Sequence, residues 1–177
     1  RVALAMRLRE DRAGGGTPDA RQRADGVEVG RKNTAVFAHD LLRGAMQELV
    51  VGDPAWLATD VGPVIDPEAQ ASLMTHVDAV AGLGRLIVRL PLSMRCEHGS
   101  FVPPTAVEID SIKQLDAEHF GPILHVIRYS GRKLDQIIED INNTGFGLTL
   151  GVHSRIEKTW RRVRALARVG NCYVNRN

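Results

Sequence analysis

The last third of the chain alternates between short apolar segments rich in β-branched residues and segments whose apolar residues recur at helical spacing. Ile123–Tyr129, Leu148–Val152 and Cys172–Val174 are predicted strands. Apolar residues from Leu134 to Ile141, and again from Ile156 to Ala167, predict two helices between them. Strand, helix, strand, helix, strand is the order of a parallel sheet with right-handed crossovers. The sequence therefore predicts an α/β fold.

The middle of the chain extends this pattern. Apolar residues from Val36 to Leu49 predict a helix that ends at Gly52-Asp53-Pro54. Pro67 suits the first turn of a second helix running to about Ala81. Two further strands are predicted, at Leu86–Leu90 and Thr105–Ile109.

The first segment, residues 1–32, differs from the rest. It holds eight basic and five acidic residues, three consecutive glycines from Gly14 to Gly16, and no aromatic residue. Its apolar residues are too sparse to offset the entropy lost on ordering. We expect an unrelated or disordered leader at 1–32 and one partial catalytic domain at 33–177. A basic arm that binds an acidic partner is the alternative reading of the leader.

Composition excludes several classes of protein. The net charge is only +2 over 177 residues, which argues against nucleic-acid binding, and residues 33–177 carry no net positive charge. No apolar run approaches the roughly 18 residues of a membrane span, and no signal peptide opens the chain. Two cysteines make neither a disulfide framework nor a zinc site. We expect a cytoplasmic protein without a membrane span.

The residues that most often carry chemistry show no catalytic or metal-binding spacing. Six histidines are spread through the chain, so no metal site is predicted. Cys172 falls in a predicted buried strand, where a thiol is inert, and Cys96 is interpreted as a surface thiol in the polar loop 91–99. Gly145-Phe146-Gly147 is interpreted as a turn into a strand, because it is too short for a dinucleotide fingerprint.

Two stretches keep a functional reading beside an ordinary one. Glu118 and Phe120 stand just before a rigid Gly121-Pro122 turn, where a carboxylate and an aromatic ring could meet a sugar hydroxyl and a flat ring. An ordinary loop is the other reading. The arginines between Arg161 and Arg168 could bind phosphate or form a solvated helix face.

Several motifs of the chain follow one another in an order that is typical of one enzyme family. They are Leu49–Pro54, Thr59–Asp66, Glu97–Thr105, Glu118-x-Phe120-Gly121-Pro122, Leu124–Tyr129, Thr144–Arg155 and Val169–Asn177. Together they resemble the aldehyde dehydrogenase superfamily, and within it the glutamate semialdehyde (1-pyrroline-5-carboxylate) dehydrogenase part of bifunctional proline utilisation proteins. The resemblance covers about Phe37 to Asn177.

The resemblance implies an oxidoreductase that uses NAD to oxidise an aldehyde through a cysteine thioester. It implies that Glu118 binds the nicotinamide ribose hydroxyls, that Phe120 packs near the nicotinamide and that Leu148 lines the same pocket. A small aldehyde is the implied substrate, glutamate is the product in proline catabolism, and the intact parent is expected to be a homo-oligomer.

The chain also departs from the family pattern. The family nucleophile lies in a Gly-Gln-x-Cys stretch a few tens of residues before the position of Phe37, where this chain has a leader without cysteine. Neither Cys96 nor Cys172 matches that nucleophile, so no catalytic residue is assigned, and we expect a fragment that is inactive alone. A non-catalytic binding or assembly module built from the same fold is the alternative.

Overall fold

A computed structural model describes residues 3–7, 26–31 and 35–176. Its centre is a seven-stranded sheet in the order β3-β4-β5-β2-β1-β6-β7. The strands are β1 (Ala3–Arg7), β2 (Gly26–Arg31), β3 (Arg85–Arg89), β4 (Thr105–Ile109), β5 (Ile123–Tyr129), β6 (Thr149–His153) and β7 (Asn171–Val174). The helices are α1 (Ala35–Gln47), α2 (Pro67–Leu83), α3 (Leu134–Asn142) and α4 (Glu157–Leu166). The predicted α/β fold with parallel strands and crossover helices is confirmed.

Helix α2 shows why the predicted elements form where they do. The Asp66 side chain accepts a hydrogen bond from Ala69 N at 2.7 Å, which caps the first turn. Pro67 occupies the first turn, where its missing N–H costs nothing. The N–H of Gly84 bonds to Val80 O and closes the last turn. Local capping signals therefore determine both ends of this helix.

The two faces of the sheet bury different helices. Alternate residues of β5 point to opposite faces, as the pleat requires. Ile127 packs with Ile138 of α3 and Val163 of α4, whereas Val126 packs with Met46 of α1. Both faces of β5 are covered, which explains its continuous apolar sequence.

Strand β3 is antiparallel to its neighbour, whereas the other strand pairs of the described sheet are parallel. It pairs with β4 antiparallel, with Arg85 opposite Glu108. Buried and exposed residues do not alternate regularly along β3, and most of its residues are exposed, as suits an edge strand. Pairing direction depends on how the connection between strands returns to the sheet, and no local pattern carries that information.

The sequence predicts an unrelated or disordered leader at 1–32, and two strands of the sheet lie within that segment. Two segments of it, β1 and β2, lie at the centre of the sheet, where β2 pairs with β5 and β1 pairs with β6. A central strand is stabilised by backbone hydrogen bonds to both neighbours, which sparse apolar content does not reveal. The rest of residues 1–34 lies outside the described residues, and the boundary at 33 stays a prediction.

No helix in the described parts of the chain combines the length and the hydrophobicity that a membrane crossing needs.

Candidate functional site

Glu118 and Phe120 lie in the loop that leads into β5. Gly121 packs closely against Leu73 on α2, since a Cβ at this position would lie only 2.6 Å from Leu73 Cδ1. Pro122 O accepts a hydrogen bond from Thr105 N at 2.9 Å, which ties the loop to β4. Phe120 is 62% exposed although its neighbours are held tightly, and Glu118 is half-buried. The loop thus presents a carboxylate and an aromatic ring from a rigid base.

Leu148 lies in the corresponding loop that leads into β6. Gly145, with φ +76°, follows α3, and Gly147 O accepts a hydrogen bond from Gly170 N at 2.7 Å. A Cβ at Gly147 would lie 2.6 Å from Arg168 O, so only glycine fits this close approach. The interpretation of Gly145-Phe146-Gly147 as a turn into a strand is confirmed. Leu148 itself is half-exposed.

Both loops lie at the edge of the sheet where the parallel strands begin. Strands β2 and β1 separate β5 from β6, so the two loops are three strand spacings apart, roughly 14 Å. Phe120, Phe146 and Leu148 place large exposed apolar side chains along this edge. Open α/β sheets usually bind ligands at the opposite edge, where the strands end. Large apolar side chains that are exposed to solvent nevertheless commonly mark contact surfaces, so these residues indicate contact with a ligand or with further polypeptide.

Three histidines that are far apart in the sequence meet next to the Glu118 loop. Nε2 of His76 on α2 lies 2.9 Å from Nε2 of His125 on β5. The ring of His119 stacks on that of His76, with centroids 3.4 Å apart and planes 19° apart. His119 Nε2 is 3.4 Å from Oδ1 of Asp116. We name His76, Asp116, His119 and His125 the histidine cluster; residue spacing contains no signal for it.

Burial controls the protonation of the two inner rings. Burial, with a smaller contribution from the neighbouring His119, lowers the pKa of His76 to about 4. Burial likewise lowers the pKa of His125 to about 4, with His76 as the next cause. Both rings are therefore neutral at pH 7. A neutral imidazole has one donor and one acceptor nitrogen, so one ring donates to the other across the 2.9 Å contact.

These lowered pKa values predict that acid destabilises the chain. The unfolded chain takes up protons on both histidines below about pH 6.5, whereas the folded chain resists uptake until about pH 4. The unfolded state binds more protons in this window, so stability is full above pH 6.5 and falls as the pH drops toward 4. We expect a loss of roughly 2–3 kcal/mol between pH 6.5 and pH 5, less than twice the single-site value because the rings are coupled.

Urea unfolding at pH 6.5 and pH 5, in buffer with EDTA, measures this loss. His125→Leu is expected to reduce the pH dependence, and His98→Gln, which changes an exposed histidine, is expected to leave it unchanged. If the unsubstituted chain and His125→Leu lost stability equally between pH 6.5 and pH 5, the attribution of the pH dependence to the buried histidines would be contradicted.

A second buried polar group lies between α1 and the sheet. Nε of Arg128 on β5 donates to Oε1 of Glu108 on β4. Nε2 of His39 on α1 lies 3.3 Å from Oε2 of Glu108, but neither atom makes an aligned hydrogen bond in the described residues. Burial lowers the pKa of His39, Glu108 opposes that shift, and Arg85 and Arg128 add to it. Arg128 is thus the main partner of a carboxylate that is almost fully buried.

Comparison with known families decides the affiliation. The model of the aldehyde dehydrogenase family matches residues 29–177. The chain belongs to the aldehyde dehydrogenase family. The match begins four residues before the predicted domain boundary and contains both loops that carry Glu118, Phe120 and Leu148.

Within the aldehyde dehydrogenase family, the chain is similar to PutA proteins and to 1-pyrroline-5-carboxylate dehydrogenases. The bifunctional protein PutA of Klebsiella aerogenes is 46% identical over 165 residues, which cover 89% of this chain and 13% of that protein. The 1-pyrroline-5-carboxylate dehydrogenase of Geobacillus kaustophilus is 35% identical over 132 residues, covering 73% of this chain and 25% of its own length. The chain thus spans a small part of the length of these relatives.

Solved structures agree with the fold. A variant of Bradyrhizobium japonicum proline utilization A (PutA) superposes with a TM-score of 0.81 at 40% identity, covering 91% of this chain and 16% of that one. A 1-pyrroline-5-carboxylate dehydrogenase from Thermus with bound NAD superposes with a TM-score of 0.81 at 23% identity, covering 99% of this chain and 36% of that one. The second likeness concerns the fold alone.

The two cysteines differ in their surroundings from the sequence interpretation. Cys96 is buried, with Sγ 3.7 Å from Val51 O and 3.8 Å from Ser93 Oγ, so the prediction of a surface thiol is wrong. The polar loop folds back onto the segment after α1, which composition does not reveal. Cys172 is half-buried, and burial raises the pKa of its thiol, against a smaller lowering by Arg164. A raised pKa makes Cys172 a poor nucleophile, as the inert reading predicts.

The arginines of α4 are exposed and partly engaged within the fold. Arg162 forms two hydrogen bonds to the Asp135 carboxylate of α3, at 2.9 and 3.0 Å. Arg161 pairs with Glu157 one helical turn away. This favours the reading of a solvated helix face over a phosphate site.

Proposed function

We propose that this chain is part of an NAD-dependent L-glutamate γ-semialdehyde (1-pyrroline-5-carboxylate) dehydrogenase that forms glutamate in proline catabolism. The observation that carries the proposal is the 46% identity to PutA of Klebsiella aerogenes across the segment that contains Glu118-x-Phe120-Gly121-Pro122. Relatives named 1-pyrroline-5-carboxylate dehydrogenase support the same reaction.

In this proposal the chain contributes the nicotinamide-ribose end of the cofactor site. The residues present suit such a ligand: a half-buried carboxylate can accept from two adjacent ribose hydroxyls, and exposed apolar side chains can flank a flat ring. Glu118 would bind the ribose, and Phe120 and Leu148 would bound the nicotinamide from the loops before β5 and β6. NAD supplies the hydride acceptor, and these residues hold and orient it.

The covalent steps would be carried by other parts of a longer polypeptide. Cys96 is buried and hydrogen-bonded, and Cys172 has a raised pKa, so neither meets the needs of an activated thiolate. The chain spans 13% of the length of its PutA relative. This small share supports the proposal that the chain is the part of a longer enzyme that positions the cofactor. Homo-oligomerisation and a cytoplasmic location remain predictions for the intact enzyme.

The proposal predicts a specific loss in cofactor affinity when Glu118 is changed. The test grafts residues 33–177 into PutA of Klebsiella aerogenes in place of the matched segment and follows NADH formation from 1-pyrroline-5-carboxylate. Glu118→Gln in this chimera is expected to raise the KM for NAD by about tenfold to a hundredfold, because a carboxylate hydrogen bond contributes roughly 1.5–3 kcal/mol. The KM for 1-pyrroline-5-carboxylate is expected to stay unchanged.

Glu157→Gln is the matched control. Glu157 begins α4 at the opposite edge of the sheet and pairs only with exposed Arg161 in the described contacts, so its loss is expected to leave both KM values unchanged. The 177-residue chain alone is expected to form no NADH. Activity in that chain, an inactive chimera, or equal effects of the two glutamate variants would overturn the proposal.

Exposed apolar side chains favour a second candidate, a binding or assembly module. Trp56 is 71% exposed, Leu57 and Ile65 are nearly fully exposed, and Met94 lies on the adjoining loop. Exposed hydrophobics of this size commonly mark contact surfaces. Size-exclusion chromatography with light scattering distinguishes the cases, since this candidate requires stable self-association or a captured partner, whereas a monomer that unfolds cooperatively contradicts it.

A further inference from the structure

We propose that His76, Asp116 and His119 form a binding site for a divalent transition-metal ion of the Zn²⁺ class. One ligand atom from each of these residues lies within 4.8 Å of the other two. They come from α2 and from two positions of the loop before β5, so only the folded chain brings them together. The site lies one residue from Glu118 but shares no residue with the proposed cofactor contacts.

The donor set selects the class of ion. Two imidazole nitrogens and one carboxylate oxygen suit Zn²⁺, Co²⁺ or Ni²⁺, whereas Mg²⁺ and Ca²⁺ require mostly oxygen ligands. Three protein ligands leave a fourth tetrahedral position for water. We therefore expect Zn²⁺ to bind and Mg²⁺ not to compete.

The surroundings of the site support metal binding. His76 is buried, and its contact with His125 at 2.9 Å fixes the orientation of its ring. Hydrogen bonds from an outer layer orient metal-binding histidines in the same way. Asp116 is 88% exposed and His119 is partly exposed, so an ion can enter from solvent on their side.

Binding requires one local adjustment. The rings of His76 and His119 are stacked and nearly parallel, so their nitrogen lone pairs do not converge on one point. Two ligand atoms on a tetrahedral Zn²⁺ are about 3.3 Å apart. His119 belongs to a loop outside the helices and strands, and its ligand atom already lies within 4.8 Å of those of Asp116 and His76. We expect a rotation of the His119 ring off the stack to complete the site.

Calorimetric titration of the EDTA-treated and dialysed 177-residue chain with ZnCl₂ tests the site. We expect one Zn²⁺ per chain, and at least tenfold weaker binding in His119→Gln and in Asp116→Asn, since each removes one of three ligands. Excess MgCl₂ is expected to leave the affinity unchanged. His98→Gln removes an exposed histidine outside the cluster and is expected to bind as the parent chain does.

Circular dichroism in EDTA checks that each variant is folded. Because the Asp116 side chain is largely exposed, Asp116→Asn leaves the core intact and decides the test if His119→Gln unfolds. Absence of stoichiometric binding in the parent chain, unchanged affinity in Asp116→Asn, or an equal loss in His98→Gln would overturn the proposal. The titration contains no cofactor, so its result is independent of the proposed dehydrogenase function.

Discussion

Gly84→Ala is expected to destabilise the 177-residue chain by about 3 kcal/mol. A Cβ at this position would lie 2.3 Å from the backbone oxygen of Glu108 and 3.2 Å from both Val80 O and Val107 Cγ1. Val107 and Glu108 belong to β4, which is paired on both sides, so the obstructing atoms are held by the sheet. Overpacking against rigid backbone is relieved only by moving α2 away from β4. Urea unfolding monitored by circular dichroism measures the loss.

Gly82→Ala provides a control two residues away. A Cβ there meets nothing within 4 Å, and Gly82 lies in the last turn of α2. Alanine lowers the entropy of the unfolded chain and suits a helix, so the variant is expected to gain about 0.5 kcal/mol. If Gly84→Ala and Gly82→Ala had similar stability, the close packing of α2 against β4 at Gly84 would be contradicted.

Arg128→Met is expected to lower the free energy of unfolding by about 3 kcal/mol. It leaves the Glu108 carboxylate, whose side chain is only 10% exposed, without its main hydrogen-bond donor. An uncompensated buried charge costs about 3–5 kcal/mol, and the lower end applies because Arg128 itself is partly exposed. The double variant Arg128→Met with Glu108→Leu is expected to recover most of the loss, because it removes the buried charge as well.

Arg162→Met is the matched control for this effect. The Arg162 pair with Asp135 has two hydrogen bonds but is more than half exposed on both sides, so its loss is expected to cost less than about 1 kcal/mol. Equal unfolding free energies for Arg128→Met and Arg162→Met, measured in urea, would contradict the buried role of Glu108. The difference between the two arginine pairs depends on burial, which a list of charged residues does not contain.

The helices and strands of residues 35–174 follow from local signals. Strand β5 was predicted with the bounds that the structure has, because a β-branched apolar run after Gly121-Pro122 has few alternatives. Pro67 and the apolar stripe predicted α2 to within two residues of its observed end. The motifs around Glu118 and Leu148 likewise predicted the family, which the family match confirms. These features depend on residues close together in the chain.

The arrangement of these elements depends on contacts between distant residues. The sequence carries no signal for the antiparallel pairing of β3 or for the position of β1 and β2 at the sheet centre. The burial of Cys96 contradicts the surface thiol that the sequence predicts. The histidine cluster likewise joins α2 to the loop before β5 and to β5 itself.

The sequence by itself thus determined the α/β class, most element bounds and the family. Only the tertiary structure decided strand order, the burial of Glu108 and the meeting of His76 with His119. The physical reason is that helix and strand formation respond to nearby side chains, whereas pairing and burial are set by which distant surfaces exclude water together.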